Sequence, residues 1–139
     1  MQLVDTNVLV YAYDSSSDKH QQCKQIVAEC WRGERKGAVA FQNLTEFYFV
    51  ITTKVRKPPP ISFAERLISD FLASDRWVKL PLTKFSLLEG VKLSRQYDIP
   101  IWDALIEAVM RENQIDEIIT DDRHFSKIDW LKVLTPNQI

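Results

Sequence analysis

The sequence predicts an α/β domain: a short, mainly parallel sheet covered by helices on both faces. Two observations lead there. Short apolar runs alternate with amphipathic stretches of helical period along the chain, the pattern of strand–helix–strand units. The composition, 45% hydrophobic and 27% charged over 139 residues, suits one ordinary globular domain with its own core. No internal repeat, low-complexity segment or domain boundary interrupts it, so residues 1–139 read as a single domain.

Gln2 to Val4 reads as a buried strand ending at a charged residue, and Val8 to Tyr13 as one or two helical turns. Asp14 to Asp18 is polar and serine-rich, a loop able to cap the next helix. From His20 to Arg35, residues Cys23, Ile26, Val27, Cys30 and Trp31 recur at three-and-four spacing, with Gly33 and Gly37 at the exit. Ala38 to Phe41 is a second strand, and Leu44 to Val55 a helix through Leu44, Phe47, Tyr48 and Ile51. The run Arg56-Lys57-Pro58-Pro59-Pro60 stops it. Ser62 and Glu65 have capping-box spacing for a helix to Ala73. Trp77 to Leu80, before Pro81, is a strand, and Thr83 to Tyr97 a helix with Phe85, Leu88, Val91 and Leu93 on or near one face. Pro100 precedes a helix from Ile101 to Glu112. Ile115 to Thr120 is a strand, and Val133 with Leu134 marks a last short one.

The net charge of -1 gives no general attraction for nucleic acid, so such contacts need a local patch or a metal ion. Lys54, Arg56 and Lys57 form one basic group, and Lys84, Lys92 and Arg95 another; both read first as solvated faces. Cys23 and Cys30 read as buried, unbridged thiols. No run resembles a signal peptide or approaches a membrane span, which leaves a cytoplasmic setting as the expectation.

The acids carry the chemistry. Asp5 follows the first strand, and Asp121 and Asp122 follow the fourth. In an open α/β sheet the carboxyl ends of strands border the ligand crevice. Asp103 lies in the first turn of an otherwise apolar helix, and Glu46 between Leu44 and Phe47 in another. Carboxylates brought together in apolar surroundings repel and resist ionising unless a cation joins them. With no His or Cys ligands in view, a hard ion, Mg²⁺ or Mn²⁺, fits better than Zn²⁺. Each acid also has a plain structural reading. Asp5 would cap the Thr6–Tyr13 helix, Asp103 would favour the helix dipole, Glu46 would face solvent, and one of Asp121 and Asp122 would cap the next turn. His20 and His124 read as surface residues without a role, and Glu107 as solvent-facing.

Four segments together resemble the PIN-domain ribonucleases, and among them the VapC-type toxins of bacterial toxin–antitoxin pairs. They are Val4-Asp5-Thr6-Asn7-Val8-Leu9, Gln42-Asn43-Leu44-Thr45-Glu46-Phe47-Tyr48, Tyr97-Asp98-Ile99-Pro100-Ile101-Trp102-Asp103-Ala104-Leu105-Ile106 and Ile118-Ile119-Thr120-Asp121-Asp122-Arg123-His124-Phe125. They span nearly the whole chain in family order. The resemblance implies a PIN-like three-layer α/β/α sandwich. It implies Asp5 and Asp103 as main metal ligands and Glu46 as third acid, direct or through water. Asp122 is then the fourth acid, with Asp121 as second candidate. Thr6 and Asn7 would orient Asp5, and Thr120 would support the strand end. The implied activity is Mg²⁺- or Mn²⁺-dependent hydrolysis of RNA phosphodiesters, leaving a 5′-phosphate and a 3′-hydroxyl. The implied partners are RNA, a small antitoxin whose tail enters the acidic groove, and a second copy in a homodimer. Tyr11, Tyr13 and Trp102 lie near the motifs and could stack on bases, although packing is the first reading for at least two of them.

Two rivals compete. One is a non-catalytic PIN-like module binding RNA or protein. The other is a response-regulator phosphotransfer domain, which needs an Asp at the end of a middle strand; Val39 to Phe41 ends without one.

Overall fold

A computed structural model describes residues 1–139. Five strands form one sheet in the order β3-β2-β1-β4-β5, all neighbours parallel. They are β1 (Gln2–Val4), β2 (Gly37–Ala40), β3 (Trp77–Leu80), β4 (Glu117–Ile119) and β5 (Lys132–Leu134). The helices are α1 (Thr6–Tyr13), α2 (His20–Arg32), α3 (Phe41–Thr53), α4 (Ile61–Ala73), α5 (Lys84–Tyr97) and α6 (Ile101–Glu112). Short 3-10 turns cover Arg123–Lys127 and Pro136–Gln138.

Alternate strand residues feed two cores. Val4, Val39, Trp77 and Ile119 face α1 to α4, together with Phe47, Phe71 and both cysteines. Leu3, Ala38, Ala40, Leu80 and Ile118 face the other side, where they meet Leu93 of α5, much of α6, and Phe125. This is the period-two geometry of a strand buried on both faces. The three layers follow from it. No helix is long and apolar enough to cross a membrane.

Three local features shape the elements. Gly33 ends α2 in the left-handed region, φ 77°, where a side chain would be strained. Gly37 opens β2 where a Cβ would lie 2.7 Å from Cys30 Sγ and 2.8 Å from Trp77 Cζ3. Thr83 caps α5 by accepting from Ser86 N.

The structure differs from the sequence reading in several places. Phe41 opens α3 rather than closing β2, because Asn43 Oδ1 accepts from Ala40 N at 2.9 Å and starts the helix there. Ser62 does not cap α4; Pro60 is the N-cap residue, and Ser62 lies in the first turn. Strand β4 is three residues, shorter than Ile115 to Thr120. Helix α5 turns Ser86, Gly90 and Leu93 inward, leaving Phe85, Leu88 and Val91 exposed. Gly90 allows this, since a Cβ there would meet Leu105 Cδ2 at 2.7 Å. The cysteines are buried and free, and burial pushes both thiols up to about 11.

Candidate metal centre

Strand order locates the site. The chain runs outward from β1 through β2 to β3, then returns to the other side of β1 for β4 and β5. The direction of winding therefore reverses between β1 and β4, and the crevice beyond their carboxyl ends is where such sheets bind ligands. Asp5 follows β1 directly, while Thr120, Asp121 and Asp122 follow β4. A cleft of about 310 Å³ opens there, lined by Asp5, Glu46, Asp103 and Asp122 with Thr6, Asn7 and Tyr11. Acids separated by up to 117 positions of sequence thus share one space.

Asp5 is the most enclosed of them, 8% exposed. It is the N-cap of α1, with Oδ1 accepting from Thr6 N at 2.9 Å and from Asn43 Nδ2 at 3.2 Å. Its Oδ2 accepts from Thr120 Oγ1 at 2.6 Å and from Asn7 Nδ2 at 3.4 Å. Capping and membership of the acidic cluster therefore coexist. Burial pushes its carboxyl up to about 6; the Thr120 hydroxyl and Thr6 amide oppose the rise, while the charges of Glu46 and Asp122 add to it.

Asp103 reaches the cleft from the first turn of α6. Burial, then the charge and contact of Asp122, and then Asp5 push its carboxyl up to about 7, while His124 pulls the other way. Glu46 projects from α3 and accepts from Gln42 Nε2 at 2.8 Å and from Thr6 Oγ1 at 3.3 Å. Asp122 is the N-cap of the Arg123–Lys127 turn. Its own amide donates to Thr120 Oγ1 at 3.0 Å. Thr120 is fully buried and so ties Asp5 to Asp122 through one hydroxyl.

Asp121 points elsewhere, paired with Lys19, while its amide donates to Asn7 Oδ1. Of the two adjacent acids, Asp122 is the one lining the cleft. Glu107 is not solvent-facing, as its sequence position suggested, but fully buried and absent from the cleft lining. Neither of its oxygens has a hydrogen-bond partner, and burial pushes the carboxyl up to about 7. It lies on the face of α6 that turns toward the core.

Two residues escaped the sequence reading. Asn43 is fully buried and holds Asp5, Thr6 and Ala40 at once. An Asn next to Leu44, just past the apolar run Ala38-Val39-Ala40-Phe41, was the available signal. His124 is a surface residue, as expected, but its Nδ1 stands 3.1 Å from Asp103 Oδ2 and 2.9 Å from Asp122 Oδ1. The donor set is therefore not free of histidine. His20 instead places Nδ1 2.8 Å from Tyr11 O. Tyr11 and Tyr13 pack against the core, while Trp102, next in sequence to Asp103, is 63% exposed.

The residues fit a hard divalent cation. Three of the four lining carboxylates accept hydrogen bonds from neighbouring side chains or amides, yet no Lys or Arg lines the cleft to balance the charge. Burial raises the Asp5 and Asp103 carboxyls first, and the charges of the neighbouring acids raise them further. Asp103, Asp122 and His124 present ligand atoms within 4.8 Å of one another.

Comparisons with known proteins bear on the fold and the family. Among solved structures, the chain is similar to a toxin–antitoxin complex from Klebsiella pneumoniae, with TM-score 0.72, 21% identity and 100% of each chain covered. It is also similar to Mycobacterium tuberculosis VapC20, a Sarcin-Ricin loop cleaving toxin, with TM-score 0.74, 18% identity, and 91% of this chain and 93% of that one covered. A third is FitAcB from Neisseria gonorrhoeae, with TM-score 0.68, 15% identity and 100% of each chain covered. No curated protein matches by sequence. Residues 3–131 match the PIN domain model, and the chain belongs to the PIN domain family.

Proposed function

We propose that the chain is a metal-dependent endoribonuclease acting as the toxin of a type II toxin–antitoxin pair in the cytoplasm. The observation that carries this reading is the convergence of Asp5, Glu46, Asp103 and Asp122 on a cleft without a basic side chain. Family membership and the likeness to toxin structures support it.

Asp5, Asp103 and Asp122 would hold Mg²⁺ or Mn²⁺, with Glu46 as a direct or water-mediated fourth acid. Such an ion, when bound, makes water a stronger acid and neutralises charge on the transferring phosphoryl group. The chain's own residues do the rest. Thr120, Asn43 and Thr6 hold both oxygens of Asp5 in place at the wall of the cleft. Glu46, held by Gln42, orients a water for in-line attack on phosphorus and takes its proton. Attack breaks the P–O3′ bond, and the departing 3′ oxygen takes a proton from solvent, leaving a 5′-phosphate and a 3′-hydroxyl. Trp102, exposed and next in sequence to Asp103, offers a ring for a neighbouring base.

The antitoxin would neutralise the acidic cleft with a cationic side chain. The exposed stripe Phe85, Leu88 and Val91 on α5 is the surface a second copy would cover in the expected homodimer. Light scattering on wild type and Leu88→Glu checks this: the dimer mass falls to the monomer's, whereas a monomeric wild type rejects it.

Cleavage of a defined hairpin RNA by purified protein tests the activity. Cutting should need Mg²⁺ or Mn²⁺, stop with a chelator, and fall at least about 1000-fold in Asp5→Asn, about 4 kcal/mol of barrier. Equal cutting by Asp5→Asn, or by chelated protein, would contradict it.

A further inference from the structure

His124 is held against the acids by its own turn. Asp122 Oδ1, as N-cap, accepts from His124 N at 2.9 Å, so the chain folds back on itself. Phe125, fully buried next to it, anchors the turn in the core beside α6. The imidazole is thereby carried over the Asp103–Asp122 pair, with Nδ1 3.1 Å from Asp103 Oδ2 and 2.9 Å from Asp122 Oδ1.

Those separations have a second meaning. Adjacent ligand atoms of an octahedral ion with bonds of about 2.1 Å lie about 3 Å apart. The nitrogen is therefore already spaced from both oxygens as a neighbouring ligand on one face of such an ion would be. We propose that His124 Nδ1 joins Asp103 and Asp122 as a direct ligand, and that this nitrogen makes the site prefer Mn²⁺ to Mg²⁺. Imidazole binds first-row transition ions, Mn²⁺ most weakly among them but still more readily than Mg²⁺, which keeps oxygen ligands and water. An all-carboxylate cleft suits both of these divalent ions and lacks that discrimination. The half-exposed ring does not need to be dug out of the core, so ligation costs little packing.

This inference rests on the proposed metal centre, and its test separates the two. Metal-free wild type, His124→Ala and Asp103→Asn are titrated with Mn²⁺ and with Mg²⁺ by calorimetry. Electron spin-echo spectroscopy of the Mn²⁺ complexes reads directly bound nitrogen. Wild type should show ¹⁴N coupling, and His124→Ala should lose it. That variant should bind Mn²⁺ about tenfold more weakly while Mg²⁺ affinity changes less than about threefold. Asp103→Asn should weaken both ions. His20, whose Nδ1 is turned to the Tyr11 carbonyl, is the other histidine, and His20→Ala should keep the signal. If wild type binds Mn²⁺ without nitrogen coupling and His124→Ala keeps the Mn²⁺/Mg²⁺ ratio, the ring is only a hydrogen-bonding neighbour and the proposal fails while the metal centre stands. If wild type binds neither ion, or Asp103→Asn binds both unchanged, the metal centre and the proposal fail together.

Discussion

Asp5 and Asp103 have carboxyls that ionise less readily in the folded chain than in the unfolded one. A raised acid binds its proton more tightly when folded, so without metal the folded state gains stability below the folded value and loses it as pH rises. The window runs from the usual carboxylate range, near 4, up to about 7 for Asp103. Thermal unfolding in chelator should therefore show the melting temperature falling between about pH 5 and about pH 7.5, with buried Glu107, also raised to about 7, adding to the fall, and excess Mn²⁺ should remove only the part due to the cleft acids; a rise across this window would contradict the raised carboxyls. Asp103→Asn removes the repulsion and should be neutral or stabilising by about 1 kcal/mol at about pH 7.5 in chelator. A loss of several kcal/mol, beyond the usual range of roughly 0.5–3 for single changes, would make Asp103 a structural acid. The acids themselves were legible because a carboxylate in an apolar run is conspicuous. Asn43 and His124 were not, since an amide and an exposed imidazole are ordinary until the fold shows what they touch. Glu107 misled for the opposite reason: a charge one turn past Asp103 normally faces water, and here the α6 face it occupies is covered.

Element by element, helical period and proline breaks placed nearly every helix, since local sequence decides those. Boundaries drifted where a tertiary contact decides them, as at Phe41, where Asn43 starts α3 inside the expected strand. Helix α5 shows how periodicity can mark the wrong face. Its bulky residues Phe85, Leu88 and Val91 form a stripe, yet the inward face is built from Ser86, Gly90 and Leu93. The small residues let α5 approach α6 closely, and that need is invisible in a hydrophobicity pattern. Gly37 has the same role between α2 and β3. Gly37→Ala should destabilise by about 1–3 kcal/mol, because Cys30 and Trp77, both fully packed, must shift to admit a methyl group. Denaturant unfolding measures it, and an unchanged midpoint would mean that Cys30 and Trp77 yield freely.

For the molecule as a whole, a parallel sheet wound in two directions from β1 creates one crevice, and residues 5, 46, 103 and 122 reach it from different elements. A cation bound there, as proposed, would link α1, α3, α6 and the loop after β4, and would stabilise the fold by mass action, about 2.7 kcal/mol at about a hundred times its dissociation constant. The parallel class was legible in the order of elements, whereas the strand order, which puts β4 beside β1, needed the structure. The most direct test is calorimetric titration of Mn²⁺ into metal-free wild type and into Asp5→Asn, Asp103→Asn and Asp122→Asn, each shown to be folded. One shared site predicts that every substitution weakens the same binding event by at least about tenfold, or about 1.4 kcal/mol. Wild-type affinity in any of the three would mean that these acids do not hold a common ion.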